Sequence, residues 1–387
     1  MSRSRLEVVT TIAQAARSPR SPPDLPTLLP TDPDPKTFPE PHKMNKSLAA
    51  LATLGALTLA LTACGTTQAA PDKTAGSTTS TASGIGCTDD STTTSTGPVE
   101  LTDAFGRSVK LDKPAAKVAV LEWQQIEDVL SLCLTPVAVA DADGYRTWDT
   151  AEELPKDVKD VGTRQEPNLD ALFATEPDLV IVEAYTRDDA IITQLEKYGV
   201  PVLATLGADA KDPIKQMLGT FDLIAQATGR TERADVVKDE FDAKLAEGVK
   251  AVSGASLEGA PFVFFDGWVD GGNVSLRPFG QGSLIGELGE KLGLKNAWTG
   301  EVDAAYGLGQ TDIEGMTTIG DAMLLYTGTN DPDSESFIDA AAKNPAWASI
   351  PAVKENRIDA FPAGIWTFGG PRSAEQIVDA YVDVITK

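Results

Sequence analysis

The 387-residue chain contains one histidine, His42. It lies in an N-terminal stretch expected to be trimmed, so the mature chain has no imidazole for general acid–base chemistry and none of the commonest metal ligand. Cysteine is nearly as scarce: Cys64, Cys87 and Cys133 are too scattered for a zinc cluster. Positive charge is in deficit, with 33 Lys and Arg against 57 Asp and Glu and a net charge of −24. Nucleic acid is therefore excluded as a partner, because phosphate backbones need clustered basic residues. No GxxxxGK loop and no GxSxG elbow occurs. Gly280-x-Gly282-x-x-x-Gly286 is one residue too long for a dinucleotide fingerprint. No nucleophile–base pair is visible, so no catalytic residue, resident metal or cofactor is expected.

The longest apolar run, residues 48–61, is shorter than the about 20 residues a membrane-spanning helix requires. It has the shape of an export signal instead: Met44-Asn45-Lys46 precedes it, and Leu61-Thr62-Ala63 leads into Cys64. Leu61-Thr62-Ala63-Cys64 resembles a bacterial lipobox, in which the cysteine is diacylglyceryl-modified and becomes the mature N-terminus. Residues 1–43, Pro-rich and without pattern, read as an extension from a start codon placed too early, and 44–63 as the lipoprotein signal peptide. Residues 64–98 read as the anchor and a flexible Ser/Thr-rich tether, with a reach of roughly 30 Å. The expected location is the outer face of the cytoplasmic membrane, anchored at Cys64. With Cys64 taken by lipid, Cys87 and Cys133 remain as an even pair in an oxidising compartment. A disulfide and a buried Cys133 beside a free Cys87 both stay open.

Strand and helix patterns alternate from near Val99. Apolar strands are predicted at 118–121, 137–140, 179–182 and 202–204, with helices at 124–132, 168–174 and 190–198. That alternation indicates βαβ units and a mainly parallel sheet. It breaks at Asp212, where helices at 213–227 and 231–252 follow one another. The second is long and charged, with Val236, Val237, Phe241, Leu245 and Val249 near one face. Alternation resumes with strands at 262–265 and 322–326 and a helix after Ser283. Thr311…Glu314 and Ser373…Gln376 have capping-box spacing. The fold class is α/β: an N-terminal Rossmann-like lobe (99–210), a helical segment (211–259) containing an interlobe helix at 231–252, and a C-terminal lobe (260–387). A ligand cleft is expected between the lobes.

Several segments carry a family resemblance. Val161-Gly162-Thr163-Arg164-Gln165-Glu166-Pro167-Asn168-Leu169-Asp170, followed by Pro177-Asp178-Leu179-Val180, resembles the N-lobe signature of iron-siderophore substrate-binding proteins of ABC importers. Phe279-Gly280-Gln281-Gly282-Ser283-Leu284, Asn296-Ala297-Trp298, Asn344-Pro345-Ala346-Trp347 and Trp366-Thr367-Phe368-Gly369-Gly370-Pro371-Arg372-Ser373-Ala374 resemble the C-lobe counterparts. The likeness covers about 99–387 and is greatest to the ferric-hydroxamate branch. It implies two lobes joined by one long, stiff helix, a ferric siderophore in the cleft, and delivery to a permease in the cytoplasmic membrane by a monomer. Iron would enter only as part of the ligand.

The resemblance also implies roles for residues. Arg164 corresponds to the arginine that bonds the metal-bound hydroxamate oxygens, a task suited to a planar guanidinium; the alternative is an ion pair with Glu166 or Asp170. Tyr185 sits near the branch's oxygen-contacting tyrosine. Trp298, Tyr306, Trp366 and Phe368 match pocket aromatics, with Tyr306 and Phe368 standing where the branch can carry Trp and Tyr. Trp123 is a further candidate by position, after the first strand. Arg277 and Arg372 are additional cationic candidates and keep ferric citrate or a carboxylate siderophore open. Heme, with Tyr145, Tyr185 or Tyr306 as ligand, and cobalamin are alternatives of the same class; an exported sensor or hydrolase on this scaffold is one of a different class. For permease docking the resemblance implies a carboxylate on each lobe: Asp188 or Asp189, and Glu287.

Overall fold

A computed structural model describes residues 84–328 and 335–387. Cys64, the apolar run and residues 1–43 lie outside the described residues. Among those described, no helix is long and apolar enough to cross a membrane.

Residues 85–95 are pinned to the N-terminal lobe, which corrects the expectation that the tether runs to residue 98. Cys87 is disulfide-bonded to Cys133. The Ile85 amide donates to Glu152 Oε2 at 2.8 Å, and the Ser95 amide to the Gly229 carbonyl at 2.9 Å. Asp90 pairs with Arg230, whose Nε also donates to the Leu132 carbonyl. A polar segment that cannot order itself is ordered here by partners on a surface already built.

β1 (Val99–Thr102) and β2 (Ser108–Leu111) form an antiparallel hairpin. This hairpin was not among the strands expected from the sequence, which begin at 118; Leu101, Val109 and Leu111 face the core. The N-terminal lobe then runs β3 (Val118–Val120), α1 (Trp123–Ser131), β4 (Ala138–Val139), α2 (Ala142–Trp148), β5 (Lys159–Asp160), α3 (Leu169–Phe173), β6 (Leu179–Glu183), α4 (Ala190–Glu196) and β7 (Val202–Thr205). All five strands are parallel, in the order β5-β4-β3-β6-β7. Both faces are covered, which is why the strands read as unbroken apolar runs. Val118, Val120, Leu179 and Ile181 enter one core, and Ala119, Leu121, Val180 and Val182 the other.

Two helices carry the chain across. α5 (Pro213–Thr228) ends at Gly229, whose φ of 69° only glycine adopts readily. α6 (Thr231–Val252) matches the expected interlobe helix in both bounds. Its buried face differs from the expected stripe: Val236 and Val249 are exposed, while Ala234, Val237, Phe241, Gly248 and Val252 are buried. Ala234 and Val237 belong to the N-lobe core, Phe241 and Val252 to the C-lobe core, so one helix is built into both.

The C-terminal lobe contains β8 (Pro261–Asp270), β9 (Asn273–Phe279), α7 (Leu284–Lys291), β10 (Lys295–Asn296), α8 (Ile313–Met316), β11 (Met323–Tyr326), α9 (Phe337–Ala341), α10 (Pro351–Lys354), β12 (Ile358–Ala360) and α11 (Pro371–Ile385). Strands β10-β8-β11-β12 are parallel, and β9 pairs antiparallel with β8 as a long hairpin that the apolar-run reading missed.

Both expected capping boxes are replaced. Asp312, not Thr311, caps α8 by accepting from the Gly315 amide. α11 starts at Pro371, two residues before Ser373. Its first turn is satisfied from the other lobe: Glu127 of α1 accepts from the Gly370 amide (3.0 Å), the Ser373 amide (3.0 Å) and the Ser373 hydroxyl (2.6 Å). Glu127 is fully buried, beside buried Asp128, whose carboxyl burial pushes well up.

Glu127→Ala leaves those donors without an acceptor in a buried place. It should destabilise the protein by about 2–4 kcal/mol, read as a fall in denaturation midpoint, whereas an unchanged midpoint would show that water replaces the carboxylate. The disulfide closes a separation of 46 residues. Replacing both Cys87 and Cys133 by Ser should cost about 2–4 kcal/mol, and denatured, unreduced protein should yield no thiol from either residue.

Candidate functional site

Parallel strands deliver their C-terminal ends to one edge, and α/β sheets build sites where strand order reverses. Here the chain leaves β3 for β4 and β5 and returns to β6, so the reversal lies between β3 and β6. Glu122 follows β3, Asp141 follows β4 and Glu183 ends β6. None was singled out in the sequence; their place just after apolar strands was the available signal.

Arg164 reaches this edge from the loop after β5. Gly162, with φ of 100°, lets the loop turn, and a Gly162–Pro167 bridge closes it. The Arg164 guanidinium lies 3.8 Å from the Trp123 ring centroid and 5.9 Å from that of Trp366. Its Nη1 donates to Glu122 Oε1 at 2.6 Å, and its Nε is 3.8 Å from Asp141. The ion-pair partners are therefore Glu122 and Asp141, not Glu166 or Asp170. Such stacking is worth about 0.5–2 kcal/mol and fixes the plane of the fork.

From Trp123 a series of edge-to-face rings crosses into the other lobe. Trp123 meets Trp366 at 4.8 Å, Trp366 meets Phe368 at 5.0 Å, and Phe368 meets Tyr306 at 5.5 Å. The Tyr306 hydroxyl then donates to Glu183 Oε1 at 2.8 Å, back in the N-terminal lobe. A crevice along this seam is lined by Gln124, Gly207 and Ala208 from one side and Gly282, Tyr306 and Phe368 from the other. Two glycines let the lobes approach. A Cβ on Gly207 would stand 2.2 Å from the Tyr306 hydroxyl, and one on Gly282 would stand 2.3 Å from the Ala210 carbonyl oxygen.

Burial, and then the neighbouring Glu122, push the Glu183 carboxyl up to about 7, against the opposing pull of Tyr306 and Arg164. Burial likewise raises Asp141, and burial with the Glu183 charge raises the Tyr306 phenol. On the C-terminal side Arg277 grips Asp266 through Nε (2.9 Å) and Nη2 (2.5 Å) and lies 5.4 Å from the Phe368 centroid. Tyr185 is 70% exposed, at the mouth beside Glu183 and Tyr306.

Other candidates lie elsewhere. Trp298 packs in the C-lobe core with Val263, Phe265 and Leu276, held by Asn296, whose side chain accepts from the Trp298 amide. Gly280, Gly300 and Gly309 lie against its ring, so the Asn-Ala-Trp motif is a packing device. Arg372 is buried on α11 and spent on Glu375 and Glu240, with Glu152 at 3.9 Å; it is no cleft cation. Tyr145 is buried and donates to the Glu152 carbonyl, which removes it as a heme ligand. Asp188 is exposed, Asp189 caps α4, and Glu287 pairs with Lys291 at 3.2 Å. Among the described residues, no group of three or more His, Cys, Asp or Glu could hold a metal ion.

The periplasmic binding protein family matches residues 118–363. The iron(3+)-hydroxamate-binding protein FhuD of Escherichia coli is 27% identical over 271 residues, covering 68% of this chain and 84% of that protein. The Fe(3+)-citrate-binding protein YfmC of Bacillus subtilis is 28% identical over 265 residues, covering 67% and 77%. Among solved structures, the Fe3+-Desferal-bound siderophore-binding protein FhuD of Vibrio cholerae has a TM-score of 0.60 at 22% identity, over 70% of this chain and 98% of that one. At that identity the likeness concerns the fold: two lobes around a cleft.

The Tyr306 hydrogen bond favours the ionised form of Glu183, so Tyr306→Phe should move the Glu183 titration upward from about 7. Carboxyl-carbon NMR, with Glu183→Gln to assign the signal, reads this; an unmoved or lowered midpoint would show that the cross-lobe bond is absent in solution.

Proposed function

The chain belongs to the periplasmic binding protein family, and from that premise we propose that it is the extracytoplasmic receptor of an ABC importer, capturing a ferric siderophore of the hydroxamate type for iron uptake. The observation that carries the reading is Arg164, stacked on Trp123 at the strand-order reversal and facing a seam of aromatic rings from the other lobe. A ferric trihydroxamate offers clustered, partly negative oxygens for a planar charged donor and alkyl arms for aromatic faces. The relative named as hydroxamate-binding supports the same class.

In this reading the protein is a carrier, with no bond made or broken. Arg164 contacts the hydroxamate oxygens, with Tyr185 at the cleft mouth, and Trp123, Trp366, Phe368 and Tyr306 cover the arms. α6, built into both cores, keeps the opening small. Cys64 carries the lipid that holds the receptor at the outer face of the cytoplasmic membrane, and Asp188, Asp189 and Glu287 are its docking carboxylates toward the permease. A ferric-citrate ligand, as in the name of one relative, would set its carboxylates against Glu122, Asp141 and Glu183, with Arg164 already paired.

Titration of a ferric trihydroxamate should quench tryptophan fluorescence, with Trp123 and Trp366 as reporters. Arg164→Ala should weaken binding by about 1.5–3 kcal/mol with little change in melting temperature. No quenching by any ferric hydroxamate would overturn the reading, and unchanged affinity in the variant would remove Arg164 from it.

A further inference from the structure

Charge around the crevice is unevenly matched. Glu122, Asp141, Glu183 and Asp266 stand against Arg164 and Arg277. Both guanidiniums are already engaged by carboxylates, Arg277 through two bonds to Asp266 and Arg164 by Glu122 with Asp141 near. Glu183 has only a neutral hydrogen-bond donor, the Tyr306 hydroxyl, and among the described residues it forms no ion pair. A half-buried carboxylate whose titration is pushed up to about 7 by desolvation and by a neighbouring Glu is one short of a counter-charge.

The ligand's charge is set by simple chemistry. Three hydroxamates, each carrying one negative charge, neutralise ferric iron, so the net charge of the complex resides in its arms. A tris-catecholate complex carries an excess of three negative charges, and a carboxylate siderophore adds carboxylates of its own. Either would bring like charge to a site that already has an excess of it, and like charges juxtaposed in an interface oppose binding. An alkylammonium arm does the reverse: it offers three donors to a carboxylate and is attracted by aromatic faces. Tyr306 and Phe368 line the crevice edge-to-face, and the Tyr306 hydroxyl reaches Glu183.

We propose that this cleft selects a ferric trihydroxamate with one arm ending in a primary ammonium, which Glu183 receives in place of the Tyr306 hydroxyl, with Glu122 beside it. This rests on the siderophore reading above and narrows it to a charge class. The groups facing Glu183 are Glu122, Arg164, Tyr306 and Tyr185. Receiving a cation favours the ionised carboxylate, so binding releases the proton Glu183 holds in the empty cleft, and affinity rises as pH climbs through about 7.

The test uses one linear ferric trihydroxamate in three forms: with its terminal amine free, N-acetylated, and N-succinylated. Each is titrated by fluorescence quenching into the wild-type protein and into Glu183→Gln. The free amine should bind at least about tenfold tighter than the acetylated form, the span expected of one charge-assisted hydrogen bond, with the succinylated form weakest. That advantage should grow between about pH 6 and about pH 8 and shrink in high salt. Glu183→Gln should bring the free amine and acetylated forms within about threefold, because a neutral amide keeps the shape and loses the counter-charge. Comparable affinity for all three forms, or tightest binding of the succinylated one, overturns the charge class and leaves the siderophore reading standing. Binding of none overturns both. Should the variant fail to fold, as its melting curve would show, the wild-type series still decides.

Discussion

Glu127 starts on the N-terminal lobe's first helix and ends inside the first turn of the C-terminal lobe's last helix, where three donors converge on its carboxylate. A helix start exposes unpaired amides and partial positive charge. Here the complement comes from the opposite lobe, in a place sealed from water. Trp123 lies one turn earlier on the same helix, on the same face. Trp366 and Phe368 lie just upstream of Gly370. Seating α11 on Glu127 therefore sets the two halves of the aromatic seam against each other. Thr150 adds a second tie, its amide and hydroxyl both donating to the Gly364 carbonyl at 2.9 Å.

The same joint restrains motion. α6 belongs to both cores, and its Glu240 and Lys244 pair with Arg372 and Asp379 of α11. Opening the cleft by a large hinge rotation would expose Glu127 and the amides it satisfies. The Tyr306–Glu183 hydrogen bond is different in kind. It crosses the cleft and joins a neutral donor to a carboxylate whose charged form burial and Glu122 disfavour. The two lobes are thus tied by a buried carboxylate with three donors at Glu127 and by a single neutral hydrogen bond at Glu183.

The electrostatics of the cleft follow from sheet topology. Carboxylates at the ends of β3, β4 and β6 are far apart in the chain and become neighbours because parallel strands end on one edge. Arg164 meets two of them and stacks on an indole, which orients it but also engages it. The guanidinium is thus held by Glu122 and Asp141 as much as by the indole. Arg372 and Trp298, equally conspicuous in the sequence, serve helix pairing and core packing instead.

What the chain determines locally was legible without coordinates. Unbroken apolar strands buried on both faces, a helix opening at Asn168, another after Ser283 and the bounds of Thr231–Val252 all depend on interactions within a few residues. The family resemblance likewise pointed to Arg164, Trp298, Trp366, Phe368 and Tyr306 as a group, and the structure brings all of them but Trp298 to one seam. Tertiary structure decided the rest. α11 begins at Pro371 because Glu127, remote in sequence, satisfies its amides better than the local box at Ser373. Residues 85–95 are held because a disulfide, Arg230 and Glu152 supply partners their own composition could not. Glu122, Asp141 and Glu183 became a cleft only when the strand order placed them at one edge. Hydrophobic period and capping chemistry act over a turn or two of chain, whereas the pairing of charges depends on which segments the fold sets side by side, and no local pattern encodes that.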